Sequence, residues 1–208
     1  MKPSLILMAD VVDSRLTKSV ELAKNLKTVT ETINTDFKKE ISSPLTVTLG
    51  DEFQGVVSSR IAGIKIIIRL EELLIEKELT FKLRYVLASG RIDTPINKKI
   101  AHGMMGEGLT KTREALNTSK KSEERFLFNT GKKDDIISRY FILYQSIVDD
   151  WKSKDFKIIN DFLKIDDYKT VADNNKKNWS QMWKRKKTFK IREYNIIRQL
   201  ILEEDGNN

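Results

Sequence analysis

The stretch Leu5-Ile-Leu-Met-Ala-Asp10 is an apolar run that ends in an acid, and 41 residues after that acid the chain reads Leu49-Gly50-Asp51-Glu52-Phe53. The first stretch predicts a buried strand that carries Asp10 at its C-terminal edge. The second predicts a tight turn, because strand-like segments 45–49 and 53–57 flank it. If the two strands are neighbours, Asp10 and Asp51 emerge at the same edge of one sheet.

Two carboxylates at one sheet edge indicate a metal site. They repel each other unless a divalent cation lies between them, and oxygen ligands suit Mg²⁺ or Mn²⁺. Such a cation keeps several waters and takes further ligands from substrate phosphates. Asp10 and Asp51 therefore predict a metal–nucleotide site. The alternative is structural, because an aspartate at a strand end often caps a helix and Gly-Asp is a common hairpin turn.

Length and composition limit the class of protein. The 208 residues suffice for one domain of about 150 residues with a small appendage, which we divide into residues 1–152 and 153–208. The absence of cysteine excludes disulfides and thiolate metal sites. No apolar run approaches the roughly 18–20 residues of a membrane span, and residues 5–12 lack the flanks of a signal peptide. We expect a cytoplasmic protein without membrane insertion.

Positive charge is concentrated near the C-terminus. Residues 169–198 hold ten Lys/Arg against Asp173 and Glu193, which gives +8, the net charge of the whole chain. A localised basic block predicts a polyanionic partner, above all nucleic acid. A solvated, lysine-rich helix face is the alternative.

The order of the predicted elements indicates the fold. Apolar residues at helical spacing (Leu22, Leu26, Val29, Ile33, Phe37) predict a first helix to about Glu40, ended by Ser42-Ser43-Pro44. After the Asp51 hairpin follow a helix over 61–74, a strand over 81–88, a helix over 106–116, a strand over 126–129 and a helix over 134–151. This β–α–β–β–α–β order with one added helix and strand predicts an α+β, ferredoxin-like (split βαβ) fold, with an antiparallel sheet covered by helices on one face.

These residues resemble the palm-like domain of class III nucleotide cyclases and GGDEF diguanylate cyclases, which carry metal-binding acids at the end of the first strand and in a Gly-Asp turn. The resemblance implies metal ligands at Asp10, Asp51 and the Val11 carbonyl, a bound nucleoside triphosphate, and a homodimer. The whole chain resembles the SatD family, through Ala9–Arg15, Gly50–Gly55, Gly106–Leu109 and Arg113–Leu116.

Several residues near this edge are candidates for nucleotide binding. Where the strand passes into a helix, backbone N–H groups and the helix dipole favour an anion. This passage comprises Val11, Val12, Asp13, Ser14 and Arg15. The guanidinium of Arg15 either binds phosphate or pairs with Asp13 or with an acid of the helix. Lys82 and Arg84 share one strand face and are either phosphate contacts or exposed residues on the open side of the sheet.

Glu52 and Arg113 are the candidate catalytic residues. Glu52 either deprotonates a ribose hydroxyl as general base or faces away in the hairpin. Arg113 either stabilises charge on a transferred phosphoryl group or belongs to an ordinary solvated helix face. The chain departs from catalytic cyclases, since Thr110 and Glu114 fall near their Asn and Arg positions and Leu49 replaces a GGDEF glycine. The residues therefore support nucleotide binding more strongly than they support catalytic turnover.

The C-terminal region predicts a helix-turn-helix. An amphipathic helix over 155–163 precedes two short helices, capped by Asp166-Asp167 and Asn178, with 179–186 in the recognition position. Val171-Ala172, Met182 and Lys184-Arg185 carry the resemblance to helix-turn-helix sequences, whereas Lys176 replaces the usual turn glycine. The predicted DNA contacts are Lys176, Lys177, Ser180, Lys184, Arg185 and Lys187. Spaced by four, Trp179 and Trp183 are expected to anchor this helix to its neighbour. A last helix over 192–203 is expected to bury Tyr194, Ile197, Leu200 and Ile201.

The leading hypothesis is a regulatory protein in which a cyclase-like domain binds a nucleoside triphosphate through Mg²⁺ and biases DNA binding by the C-terminal module. The first alternative is an active nucleotidyl cyclase or cyclic-dinucleotide synthase that uses the Asp10/Asp51 site. The second is a fold that serves only as a protein-binding platform.

Overall fold

The computed structural model describes residues 3–14, 19–48, 50–131 and 133–206. Its strands are β1 (Ser4–Val11), β2 (Ile41–Val47), β3 (Glu52–Val57), β4 (Leu83–Gly90) and β5 (Phe126–Asn129). Its helices are α1 (Ser19–Asp36), α2 (Arg60–Glu76), α3 (Glu107–Ser119), α4 (Asp134–Val148), α5 (Phe156–Lys164), α6 (Tyr168–Asn174), α7 (Trp179–Thr188) and α8 (Ile191–Gly206), with a short 3₁₀ turn at Ser153–Asp155.

The sheet has the order β2-β3-β1-β4-β5. Strand β1 is antiparallel to both β3 and β4, and β2 is antiparallel to β3. With α1 and α2 these four strands form the predicted ferredoxin-like arrangement. Strand β5 runs parallel to β4, because α3 carries the chain back along the sheet between them. The antiparallel prediction is therefore right for four strands and wrong for the fifth.

Both faces of the sheet are covered. Leu7, Ala9 and Val11 of β1 point into a large apolar cluster that includes side chains of α1, α2 and α4. Ile6 and Met8 point the other way, into a second cluster with α3 and the 91–106 loop. The prediction of helices on one face only is wrong, because α3 covers the second face. A central strand buried on both faces explains why β1 is apolar almost throughout.

Two glycines set the approach of α3 to the sheet. Gly108, in the first turn of α3, and Gly90, at the end of β4, lie so close that a Cβ on either would overlap the backbone of the other. Gly106, just before the helix, has φ +156 and also lies against the backbone of the 91–93 segment. The Gly106-Glu107-Gly108 sequence thereby fixes the start of α3 and the direction in which its later residues project.

The edge strand β2 begins earlier than predicted. Ser42-Ser43-Pro44 lies inside β2 rather than ending α1, and the β2–β3 register shifts on either side of Ser43. Proline is tolerated there because an edge strand leaves N–H groups unused. The Asn34 side chain fastens the strand to α1 by accepting from Leu45 N (2.7 Å) and donating to Leu45 O (2.9 Å).

The C-terminal helices pack on α2 and α4. Phe162, Tyr194 and Ile201 join the same apolar cluster as the first face of the sheet. The predicted caps are present, since Asp167 accepts from Thr170 N and Asn178 accepts from Ser180 N. Leu200 is 40% exposed, so its predicted burial is wrong. The division at residue 152 stays a prediction. No helix in the described ranges has the length and apolarity needed to cross a membrane.

Candidate functional site

Asp10 is the centre of a charged cluster on the second face of the sheet. Its register partners are Glu52 on β3 and Arg84 on β4, so all three side chains project toward α3. Asp10 is 3% exposed. Its Oδ1 accepts from Arg84 Nη1 at 3.1 Å, and its Oδ2 lies 3.1 Å from Lys120 Nζ. A buried carboxylate is therefore held between two cations.

The environment of Asp10 makes its negative charge difficult to maintain. Burial raises the pKa of its carboxyl, and this effect outweighs the opposing effects of Lys120 and Arg84. The charge of Asp51 contributes to the same increase in the pKa. The two carboxylates therefore interact electrostatically, although they come from distant parts of the sequence.

Asp51 lies in the turn between β2 and β3, beside the end of β1. Its backbone oxygen accepts from Val11 N at 2.8 Å, and its Oδ2 accepts from the Ser14 hydroxyl at 2.6 Å. Gly50 before it has φ +86, a left-handed conformation that glycine adopts without strain. Leu49 lies outside the described residues. The Gly-Asp turn thus presents Asp51 at the edge where Asp10 ends its strand.

The two candidate catalytic residues contact each other. Arg113 Nη1 donates to Glu52 Oε1 at 2.5 Å, and Arg113 Nη2 donates to Gln54 Oε1 at 3.2 Å. Thr48 Oγ1 also donates to Glu52 Oε1, at 2.9 Å. Glu52 is buried and faces the cluster, so it does not turn away in the hairpin. Arg113 projects from α3 onto the same face.

The remaining nucleotide-binding candidates lie in the turn after β1 or at the start of β4. Val12 N donates to Lys82 O at 2.9 Å, and exposed Asp13 has φ +53, so the backbone turns sharply beyond β1. Arg15 lies outside the described residues, and α1 is described from Ser19. Lys82 precedes β4 and pairs with Asp149 at 3.2 Å, whereas Arg84 pairs with Asp10. The prediction that Lys82 and Arg84 lie together is wrong, because the strand begins at Leu83.

Sequence reasoning missed three members of the cluster. Lys120 follows the last residue of α3 in a polar stretch, where no spacing distinguishes it from its neighbour Lys121. Thr48 contacts Glu52 only because the hairpin closes. Gln54 is different, since it follows Glu52 at the strand period of two and shares its face. The strand period alone would have found Gln54.

The donor set fits an open magnesium site. Asp10, Asp51 and the Val11 carbonyl supply only oxygen, and Mg²⁺ needs one or two carboxylates when phosphates complete its shell. Among the residues that the structure describes, no group of three or more His, Cys, Asp or Glu side chains comes together. The arrangement therefore fits a cation that arrives with a phosphate ligand, and it does not form a closed protein cage. Lys120, whose side chain is 47% exposed, reaches Asp10 from the end of α3.

The C-terminal basic segment forms a second candidate site. Helices α6 and α7 are joined by residues 175–178, and Lys176 in this turn has φ +52, the left-handed conformation that suits the glycine it replaces. Ser180 and four lysines are exposed (Lys176, Lys177, Lys184 and Lys187), and within the described ranges these lysines make no ion pair with an acid. Arg185 instead pairs with Asp155 at 2.8 Å.

Trp179 ties α7 to the neighbouring helix α6 as predicted, through Asp173 at 2.7 Å, whereas Trp183 lies against Lys187 of its own helix. Trp179 and Trp183 are 49% and 44% exposed, whereas Met182 is fully buried and supplies the contact with the neighbouring helices. A spacing of four places both tryptophans on one helix face, but that face is turned to solvent because Met182 occupies the inner side.

A comparison with protein-family models identifies residues 4–201 with the model described as the SatD family. The chain belongs to the SatD family. A comparison with curated proteins found no match. Among solved structures, this SatD-family chain is similar to a bacterial light-regulated adenylyl cyclase, with 11% identity, a TM-score of 0.43, and coverage of 61% of this chain and 75% of that one. It is also similar to the catalytic core of a rhodopsin-guanylyl cyclase with converted specificity, solved with ATPαS (15% identity, TM-score 0.35, coverage 56% and 72%).

Proposed function

We propose that this SatD-family chain is a nucleotide sensor, in which a nucleoside triphosphate and a divalent cation bind at the sheet edge and control DNA binding by the C-terminal helices. The observation that carries the proposal is the juxtaposition of Asp10 and Asp51. The Asp51 backbone oxygen accepts from Val11 N, the residue after Asp10, and Arg84 and Lys120 contact the Asp10 carboxylate. Paired carboxylates attract a hard cation, and neighbouring basic groups suit the phosphates that accompany it.

Mg²⁺ or Mn²⁺ would be held by the carboxylates of Asp10 and Asp51 and by the Val11 carbonyl. The cation would supply positive charge that offsets the phosphate charge. Lys120 provides part of that charge at Asp10. Because its side chain is half-exposed, Lys120 would be able to move from Asp10 to a phosphate oxygen when the metal binds.

Sensing is favoured over turnover because Thr110 and Glu114 stand near the positions where catalytic cyclases carry Asn and Arg. Glu52 accepts from both Thr48 and Arg113 at Oε1, and these contacts fix its position. The position of Glu52 opposite Asp10 favours the second candidate, an active nucleotidyl cyclase or cyclic-dinucleotide synthase. Chromatography of products after incubation with each nucleoside triphosphate and Mg²⁺ or Mn²⁺ distinguishes the two. Bound but unchanged nucleotide supports the sensor, and a cyclic product supports the enzyme.

The exposed lysines of the C-terminal helices support DNA binding. Lys176, Lys177, Lys184 and Lys187 lie on or beside α7 without acidic partners in the described chain. Lysines of this kind contact phosphates and release counterions, so the affinity falls with salt. The logarithm of the DNA association constant should decline linearly with that of the salt concentration. Its slope should diminish when Lys184 and Lys187 are changed to Gln. Salt-independent binding would instead indicate a protein partner.

Helix α2 supports communication between the two sites. It follows β3, which carries Glu52, and its Glu72 accepts hydrogen bonds from Tyr194 (2.9 Å) and Arg198 (3.0 Å) of α8. Movement of β3 on nucleotide binding would therefore reach α8 through one helix. We expect ATP with Mg²⁺ to change the DNA affinity of the wild type. The same addition should change the DNA affinity of Glu72→Gln much less. Glu31→Gln, an exposed change on α1, is the matched control.

Calorimetry with ATP and GTP, with and without Mg²⁺, tests the first step of this proposal. Metal-dependent binding of one nucleotide at a stoichiometry near one supports it. Absence of binding would favour the protein-binding platform. Homodimer formation stays a prediction, and light scattering after gel filtration, with and without nucleotide, tests it.

A further inference from the structure

Two tryptophans lie on the solvent face of a basic helix, outside the apolar core. Trp179 and Trp183 are 49% and 44% exposed on α7, and Met182 makes the buried contact. Large aromatic side chains that remain half-exposed on a strongly basic helix are candidates for binding, since aromatic anchors dominate recognition surfaces.

Both rings are fixed and carry a nearby positive charge. Trp179 donates its indole N–H to Asp173 Oδ1 at 2.7 Å, and Lys169 Nζ lies 5.0 Å from its ring centroid. Lys187 Nζ lies 3.7 Å from the ring centroid of Trp183. Each lysine lies over one face of its ring and holds the ring in place, so a flat group stacks on the other face with little loss of conformational entropy.

A groove adjoins Trp183. Its volume is about 810 Å³, within the range of small-ligand sites. Tyr168, Lys187, Arg192 and Ile196 are among the residues that line it, together with Trp183. Lys186 on the same wall is held by Asp166 at 2.6 Å, whereas Lys187 and Arg192 make no ion pair with an acid anywhere in the described chain. The groove thus combines an aromatic wall with two cations available to anions, and the carboxylate of Glu193 also lines it.

We propose that Trp179 and Trp183 form a stacking platform for unpaired nucleobases, so that the C-terminal module binds single-stranded DNA in preference to duplex. In a duplex the base faces stack on one another and are not open to a side chain, whereas single strands expose them. Lys187 and Arg192 contact the phosphates between the stacked bases. An acidic peptide would match the charge but would leave the flat ring faces without stacking partners. This inference rests on the proposed DNA binding and specifies the form of the DNA.

The test measures binding of the full chain to labelled 20-nucleotide oligo-dT, an abasic strand of equal length, and a duplex, by fluorescence anisotropy. The wild type should bind oligo-dT at least about tenfold more tightly than the abasic strand, because the abasic strand lacks the bases that stack on the two rings. Trp179→Ala/Trp183→Ala should lose this advantage and bind both strands alike. Trp179→Phe/Trp183→Phe should recover part of it. Leu143→Ala, which removes another exposed apolar side chain, is the control.

The outcomes separate this inference from the proposed function. Salt-dependent duplex binding that equals or exceeds oligo-dT binding, unchanged by the tryptophan substitutions, would overturn the platform but leave DNA binding intact. Failure to bind any oligonucleotide would overturn both. Binding of the wild type to polyglutamate or to anionic phosphatidylserine vesicles, with the same dependence on Trp179 and Trp183 and without preference for oligo-dT, would overturn the assignment to nucleobases.

Discussion

Arg84 and Asp10 are direct partners across strands β4 and β1, and their ion pair is buried, with Arg84 at 8% and Asp10 at 3% exposure. The pair lies on the sheet face that α3 covers, near the end of the central strand β1. Arg84 balances the charge of Asp10, a proposed metal ligand, and holds its carboxylate at this end of β1. The folding of the sheet and the chemistry of the site therefore depend on the same contact.

Removal of the Arg84 charge should destabilise the fold. We expect Arg84→Met to lower the free energy of unfolding by about 3 kcal/mol, because it leaves a buried carboxylate with one partner fewer. The loss stays at the low end for a broken buried pair, since Lys120 remains and Asp10 can take up a proton. Urea unfolding of the wild type and of Arg84→Met measures this loss of free energy. Arg91→Met breaks the exposed pair with Asp93 and should cost no more than about 1 kcal/mol. Equal effects of the two changes would argue against a buried pair.

Stability should fall steeply in alkali. Burial, the largest cause, raises the pKa of Tyr85, Tyr144 and Tyr194 well above the usual 10.0. Above pH 10 these tyrosines ionise in the unfolded chain but stay neutral in the folded chain, so rising pH favours unfolding. Each contributes a slope of up to about 1.4 kcal/mol per pH unit. Urea unfolding between pH 8 and 11 measures the slope, and Tyr85→Phe should reduce it by about a third. A pH-independent free energy in this range would contradict the burial of these hydroxyls.

Arg113 should contribute to triphosphate binding more than to stability. Its side chain is 38% exposed, and its buried partner Glu52 keeps the hydrogen bond from Thr48, so Arg113→Ala should lower the free energy of unfolding by only about 1 kcal/mol. A hydrogen bond to a charged group is worth roughly 1.5–3 kcal/mol, so the affinity for ATP with Mg²⁺ should fall about tenfold or more. The affinity for AMP should change less.

Calorimetry on both nucleotides measures the difference. Lys111→Ala, on the exposed face of the same helix and paired with Glu107, is the matched control. An equal loss for ATP and AMP would assign Arg113 to the base or ribose, and no loss would remove it from the site.

The features predicted correctly from the sequence are those that depend on local residue patterns. The apolar run to Asp10, the caps at Asp167 and Asn178, and the period of the first helix specified elements close to those observed. The adjacency of Asp10 and Asp51 followed because the split βαβ order makes β1 and β3 neighbours.

What the sequence could not predict depends on long-range packing. The second covered face arises from the contact of Gly90 with Gly108, which no periodicity reveals. Lys120 reaches Asp10 only because α3 crosses that face. The outward direction of Trp179 and Trp183 was decided by Met182, which fills the inner position of α7. Helical spacing shows that residues share a face, but it does not show which face is buried.

The most direct test of the central claim is the Mg²⁺ dependence of ATP binding in Asp51→Asn, measured by calorimetry. Asp51 is preferred to Asp10 for this change because Asp10 also balances the buried Arg84. We expect Asp51→Asn to fold normally and to lose at least about tenfold in Mg²⁺-dependent affinity. Asp150→Asn, an exposed carboxylate paired with Lys190, should bind as the wild type does. Equal ATP affinity in wild type and Asp51→Asn, or affinity unaffected by chelation of the metal, would contradict the account.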